Sequence, residues 1–394
     1  MTKTRITFLA LSATLLLLLL TGALFGQSSQ RTNIYRYLSV FSEVLDLVRS
    51  SYVDQVSSDQ LMEGAFAGVT DAIDEFSYYV APAQMGTYKS FVDDDDNGVG
   101  LVVTKRFGYA YVISVIAGSP AAKGGIDRGD FIEKIGGTPT QKMAVWQVRQ
   151  AVRANGPVRL QILRGGQSRR EEIILRRADF HPVPLETRQY GGVAYVRIPY
   201  FEKGSAAEFQ AALADVRRRG GRKLIVDLRG NAGGDVEEAI AAADELLTGG
   251  LITAREGRKV ESKRWQADRE TAYDGEVQVL TDSSTAAGGE IFAAAIRDNQ
   301  RGKLVGVPTY GKSIMQRFIP LPSGGGVHMT VAHFTTPELK PIKKGIRPDV
   351  MVDLSTQALR DEGDSKRPKE DLILKRALTL FGEDPAALEL KKAA

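Results

Sequence analysis

The chain has 394 residues, 43% hydrophobic and 25% charged, with no cysteine and three histidines, His181, His328 and His333. This ordinary globular composition allows two or three domains and excludes disulfides, thiolate metal sites and a cysteine nucleophile, so any hydrolysis falls to Ser, Thr, Lys, Asp or Glu. The net charge of +4 is too mild for a nucleic-acid track, and the Arg169-Arg170 and Arg217-Arg218-Arg219 clusters, with no aromatics between them, read as solvated turns and helix ends.

Residues 6–26 form 21 consecutive residues without a charge, after Lys3 and Arg5 and before Gln27-Ser28-Ser29-Gln30. This is the pattern of an export leader. At about 1.5 Å per residue it is also long enough to span a bilayer as a helix. A cleaved signal peptide over residues 1–27 and a retained membrane anchor both fit. Either way the body is expected to be exported, periplasmic or anchored to the outer face of the cytoplasmic membrane. The next segment, residues 33–92, places Leu38, Phe41, Leu45 and Val48, then Leu61, Ala65, Val69 and Ile73, at helical spacing. The break at Val53-Asp54-Gln55 predicts two helices, and no chemistry is visible in them.

Over residues 93–178 the pattern changes to short β-rich runs: 98–104, 109–115, 130–135, 158–163 and 171–175, with one helix near 144–154. Gly98-Val99-Gly100-Leu101 is a Gly-x-Gly-apolar turn entering a strand, whose small residues leave backbone N–H groups open to an anion. Gly118-Ser119-Pro120-Ala121-Ala122, followed by Gly125-Ile126-Asp127-Arg128-Gly129-Asp130-Phe131-Ile132, passes the chain through a turn and a short helical step into a strand. Together the two segments resemble a PDZ domain of the circularly permuted kind found in exported bacterial proteases. That resemblance implies capture of a peptide's C-terminal carboxylate by residues 98–101, with the peptide added as a strand and Val148, Ala151 and Val152 facing its last side chain.

Residues 179–355 alternate strands and helices, which implies a parallel or mixed sheet with sites at strand C-terminal ends. Strands are expected at 193–199, 224–228, 277–281, 303–307, 316–320 and 327–334, and helices at 205–219, 235–247 and 290–298. A polar linker at 356–368 then precedes a helix at about 369–380, within a closing segment 356–394. The fold class is therefore α/β in a multidomain α+β chain: a mixed-sheet core, an inserted β-rich domain and an N-terminal helical segment.

Three segments of the core carry chemistry. Asp227-Leu228-Arg229-Gly230-Asn231-Ala232-Gly233-Gly234 puts flexible N–H groups between a buried strand and a helix start, as an oxyanion hole requires. Ser284-Thr285-Ala286-Ala287-Gly288-Gly289-Glu290 is a second strand-to-helix turn, of the kind that exposes a nucleophile. Thr309-Tyr310-Gly311-Lys312, with Gln316 beyond it, offers a lysine that desolvation could turn into a base. Order and spacing resemble the carboxyl-terminal processing peptidases, or tail-specific proteases, serine endopeptidases with a Ser-Lys dyad and an embedded PDZ domain. The resemblance spans the leader, the Asp74-to-Tyr79 stretch, the inserted domain, the core and Gly345-Ile346-Arg347-Pro348-Asp349. It implies that Lys312 is the general base and that Gln316 orients it. Gly230, Gly233, Gly234 and Gly288 are implied as oxyanion donors and Asp298 as an accessory acidic position. No metal or cofactor is implied.

One position departs from the pattern. The family's serine stands three residues before the helix glutamate and 25 before the lysine, and both counts fall on Ala287. Alanine has no hydroxyl and forms no acyl-enzyme. Thr285 would lie roughly 6 to 7 Å back along an extended chain, Ser283 and Ser284 farther, and Ser313 diverges from Lys312 if that stretch is extended, so a rescue by a neighbouring hydroxyl is the lesser reading and a disabled site the greater. The sequence therefore predicts an exported family member that binds protein C-terminal tails or unstructured polypeptides, with proteolysis impaired at Ala287. Its alternative is a non-catalytic scaffold or a partner of an active paralogue. Nucleic acid is not among the expected partners; a second copy of the chain or an adaptor protein is.

Overall fold

The computed structural model describes residues 12–17, 29–93, 98–153, 156–164, 170–178, 180, 183–268, 270–354 and 371–384. Of the expected leader only 12–17 is described, as helix, and the linker at 356–368, Arg169 and His181 lie outside the described residues. No helix among the described residues is long and apolar enough to cross a membrane.

Residues up to Gly68 form a unit of their own, built from α1 (Ser29–Ser51) and most of α2 (Ser58–Asp71). The break between the helices contains Val53-Asp54-Gln55, as predicted. On α1 the half-buried residues are Phe41, Leu45 and Val48, one stripe at i, i+4 and i+7, while Tyr35, Tyr37, Val44 and Leu47 are exposed.

The second unit, Val69–Ala394, opens with β1 (Tyr78–Val80) and α3 (Met85–Asp93). An antiparallel sheet follows: β2 (Leu101–Arg106), β3 (Tyr109–Val115), β4 (Phe131–Ile135), β5 (Thr138–Pro139), β6 (Pro157–Leu163) and β7 (Arg170–Arg176), ordered β2-β3-β4-β6-β7 with β5 on β4. The short α4 (Pro120–Lys123) and α5 (Val145–Val152) belong to the same region. Alternate residues Val158, Leu160 and Ile162 of β6 point into its core together with Val148 and Val152 of α5. Strand β2 starts at Leu101 rather than at Gly98 because Gly98 and Gly100 take φ of 62° and 78°, left-handed values that a strand does not accommodate.

The remaining chain runs β8 (Glu186–Tyr190), β9 (Val193–Arg197), α6 (Ser205–Arg218), β10 (Lys223–Asp227), α7 (Val236–Asp244), β11 (Leu251–Glu256), β12 (Lys263–Gln266), β13 (Glu276–Thr281), α8 (Gly288–Asp298), β14 (Gly302–Gly306), β15 (Ile314–Pro320), β16 (Gly326–Phe334), β17 (Val350–Met351) and α9 (Leu372–Leu380). Its main sheet is ordered β17-β14-β13-β10-β9-β8 and is parallel except for β8. Phe209, Leu213, Ile240, Phe292 and Ile296 of α6, α7 and α8 cover one face with Val196, Leu224, Val226 and Val279. On the other face Ile373, Ala377 and Leu378 of α9, with Phe381, pack on Tyr195, Ile225, Leu280 and Val305. A second, antiparallel sheet joins β1, β16, β11 and β12, with β15 on β16. The sequence pattern missed β1, β8, β11 and β12, and the two-residue β5 and β17. Strand β12, Lys263-Arg264-Trp265-Gln266, has no alternation of polarity to find.

Candidate active site

Strands β10 and β13 are parallel neighbours ending at Asp227 and Thr281, so the loops that follow them meet at one edge of the sheet. They are tied together there: Ala286 N donates to Asn231 O at 2.8 Å, and Thr285 Oγ1 donates to Leu228 O at 2.8 Å. Ala287 caps α8 with φ 48° and ψ −114°. A non-glycine residue held in such a region costs about 1–3 kcal/mol. This is the sharp strand-to-helix turn that lifts a nucleophile clear of the backbone. What it lifts here is a half-buried methyl group.

Glu290 explains how the turn is held. Its buried carboxylate accepts from Ala287 N (3.1 Å), Thr309 Oγ1 (2.6 Å), Gly311 N (2.6 Å), Lys312 N (2.8 Å) and Ser313 Oγ (3.1 Å). One side chain thus fixes both the elbow and the lysine segment. Burial pushes this carboxyl group up, and its hydrogen bonds pull it back.

Lys312 is half-buried, with Nζ 4.8 Å from the centre of the Phe76 ring. Burial and the positive charge of Arg149 on α5 lower its pKa to about 7, against the opposing pull of Glu75, Asp74 and Glu290. An amine in that range can take and return a proton at neutral pH. The segment beneath it is itself held: Asp74 Oδ1 accepts from Phe76 N (2.9 Å) and Ser77 N (2.7 Å), and Gln316 Nε2 donates to Phe76 O at 3.0 Å. Gln316 therefore acts on the residue that carries the lysine's ring.

Of the four expected oxyanion donors, two are committed elsewhere. Gly230 N donates to Asp282 Oδ1 at 3.1 Å and Gly233 N to Asn231 Oδ1 at 2.9 Å. The expectation for these two is corrected on that ground, since a donor already engaged is not free for a developing oxyanion. Gly234 N and Gly288 N have no acceptor among the described residues. Gly233 matters for space instead: with φ 111°, a Cβ on it would lie 2.6 Å from the Ala287 Cβ.

Neighbouring hydroxyls do not stand in for the missing one. Ser313 Oγ donates to Ala287 O and Glu290, and Thr285 Oγ1 is turned to Leu228 O inside the core. Ser284 Oγ is buried without a partner among the described residues, and Ser283 faces solvent.

In the inserted domain Gly98 and Gly100 form the expected turn, with Val99 O accepting from Ala121 N (3.0 Å) and Gly100 O from Ile116 N (2.9 Å). The N–H groups of Val99 and Gly100 have no acceptor among the described residues. Val148 and Val152, expected to face the last side chain of a peptide, are instead 1% and 4% exposed in the domain core, where the Val99 side chain also packs, leaving Leu101 and Ala151 as the half-exposed members. The α5 face repeats every 3.6 residues, and periodicity alone does not say which turn of an apolar face is covered. Glu290, Asp74, Phe76 and Arg149 were missed as site residues. The one available signal was Glu290 three residues after the cap, the spacing at which a glutamate reaches back to the cap N–H.

Residues 192–352 match Peptidase family S41 and residues 111–164 match a PDZ domain. The chain is 30% identical over 337 residues to the carboxy-terminal-processing protease of Bartonella bacilliformis, covering 83% of this chain and 77% of that protein. To the carboxy-terminal processing protease CtpA of Bacillus subtilis it is 29% identical over 360 residues, covering 89% and 76%. A solved photosystem II D1 C-terminal processing protease shares the fold at a TM-score of 0.65 and 24% identity, over 84% of this chain and 97% of that one.

Proposed function

The chain belongs to the carboxy-terminal-processing proteases, serine peptidases with a PDZ domain, and from that membership we propose that it is an exported, tail-binding member whose acyl-transfer site is assembled but lacks its nucleophile. In this reading residues 93–178 are the PDZ domain and residues 179–355 the peptidase core. Val99 and Gly100 N–H groups receive a tail's carboxylate, and Leu101 and Ala151 touch its last side chain. The uncharged run at 6–26 supports export.

With a hydroxyl at 287, Lys312 would accept its proton while the oxygen attacks the peptide carbonyl, and Gly288 N–H, helped by Gly234, would hold the resulting oxyanion. Gln316, through Phe76, keeps the amine in place. With a methyl group at 287 the same site can bind a peptide carbonyl, but no acyl-enzyme forms. The observation that carries this reading is Ala287 on a strained elbow, with the Thr285 and Ser313 hydroxyls both engaged elsewhere.

The test is the full chain against an unstructured polypeptide ending in apolar residues. We expect binding without cleavage, weakened at least tenfold by amidating the tail, and cleavage on Ala287→Ser. Cleavage by the unaltered chain that Lys312→Ala abolishes would overturn the reading, as would affinity indifferent to amidation.

A further inference from the structure

Gly230 opens the loop after β10, and both polar groups of this residue are held from outside that loop. Its carbonyl accepts from Ser114 Oγ at 2.8 Å, and Ser114 belongs to β3 of the inserted sheet. Its N–H donates to Asp282 Oδ1, which also accepts from Ser284 N (2.9 Å) and Thr285 N (3.0 Å) on the elbow side. The second carboxylate oxygen of Asp282 pairs with Arg128, from the turn that leads into β4 of the inserted domain. The Asp282 side chain is 7% exposed, so its charge is held away from water, and Arg128 is its cationic partner. A buried carboxylate that loses such a partner is strongly destabilised.

We propose that the inserted domain is a structural part of the oxyanion site: Ser114 directly, and Arg128 through Asp282, hold the Gly230 peptide and join the two active-site loops. Asp282 and Arg128 are positioning residues, since neither touches a reacting atom. The oxyanion loop then keeps its shape only while the inserted domain is seated against it. This deepens the proposed function, yet the contacts themselves do not depend on catalysis.

The experiment follows amide hydrogen exchange, residue by residue, in the full unaltered chain and in Arg128→Ala and Ser114→Ala. Loss of a hydrogen bond to a charged group costs about 1.5–3 kcal/mol. Arg128→Ala should therefore speed exchange at Gly230 and Ser284 about tenfold or more, with Ile132 and Leu160 in the inserted sheet unchanged, and Arg128→Lys should restore part of the protection. In the Ala287→Ser chain the same Arg128→Ala change should lower kcat while leaving KM near its starting value. Unchanged exchange at Gly230 and Ser284 in both alanine variants would overturn the proposal, as would exchange that rises equally through the inserted sheet. If Ala287→Ser gains no activity, the proposed function fails, and the exchange arm still decides this one.

Discussion

The elbow at Ala287 and the turn at Gly98–Leu101 depart from their expected form in opposite ways. At the elbow the backbone is strained into place, Glu290 fixes it, the Gly288 N–H has no acceptor among the described residues and the lysine amine is tuned, while one oxygen atom is missing. At the turn every expected side chain is present, yet Val99, Val148 and Val152 are closed into the domain core, and Phe180 lies against Gly100, its ring 3.1 Å from where a Cβ would be. The first site is a geometry without its reagent; the second keeps its backbone turn but leaves only Leu101 and Ala151 half-exposed to meet a side chain. A site is thus defined by what its atoms are free to do, and neither residue identity nor backbone shape suffices alone.

The largest test of that contrast is Ala287→Ser. Removing a catalytic serine from a working site commonly costs several orders of magnitude, so restoring one here should raise cleavage on the order of 10^3-fold or more, read as initial rates on an unstructured polypeptide. A smaller gain would mean that the elbow is not aligned with Lys312, and the contrast would collapse.

Next in size is Glu290→Ala. It deprives four donors of their acceptor and the Ser313 hydroxyl of one of its two, and a buried network that loses its central member typically costs about 3–5 kcal/mol. The denaturant midpoint should fall accordingly. A loss under about 1 kcal/mol would show that the elbow is held by the sheet and helix rather than by this carboxylate.

The lysine gives a pH test. Its pKa is near 7 in the folded chain against 10.5 for an ordinary lysine, so between these values the unfolded chain holds the proton and the folded chain does not. Stability therefore rises with pH through that window, and the penalty of burying the charge is fully present below about 7. Lys312→Met should be more stable than the unaltered chain at pH 7, with the gap closing towards pH 10. A constant gap would place the amine in water. In the Ala287→Ser chain the rate should show an ascending limb near pH 7.

The smallest effects separate core from groove in the inserted domain. Val148→Ala should cost about 2 kcal/mol of stability, as expected for a truncated core residue. Ala151→Ser, at a half-exposed position, should stay within about 0.5 kcal/mol and alter tail affinity alone. If both changed affinity equally without changing stability, Val148 would belong to the groove rather than to the core.

Much of the fold was legible because periodicity is local. The runs at 109–115, 158–163, 205–219 and 277–281 each match, to within a residue at either end, the strand or helix that forms there. Strand β12 was not legible, because its pairing with β11 is imposed by the sheet and leaves no alternation in four polar-rich residues. The same limit applied to the site: Asp74 and Phe76 lie far along the chain from Lys312, and nothing in their own sequence reveals that a ring will sit beneath an amine.

By itself, then, the sequence determined most of the helices and longer strands, the absence of cysteine chemistry, and above all that position 287 holds no hydroxyl. These are covalent facts or short-range patterns, and folding does not alter them. Tertiary structure alone decided that the N–H of Gly288 has no acceptor among the described residues while those of Gly230 and Gly233 are spent, that Glu290 joins two loops, and that Val148 and Val152 go to the domain core. Each of these depends on which distant group reaches a donor or covers a surface first, a competition settled only when all segments are packed together.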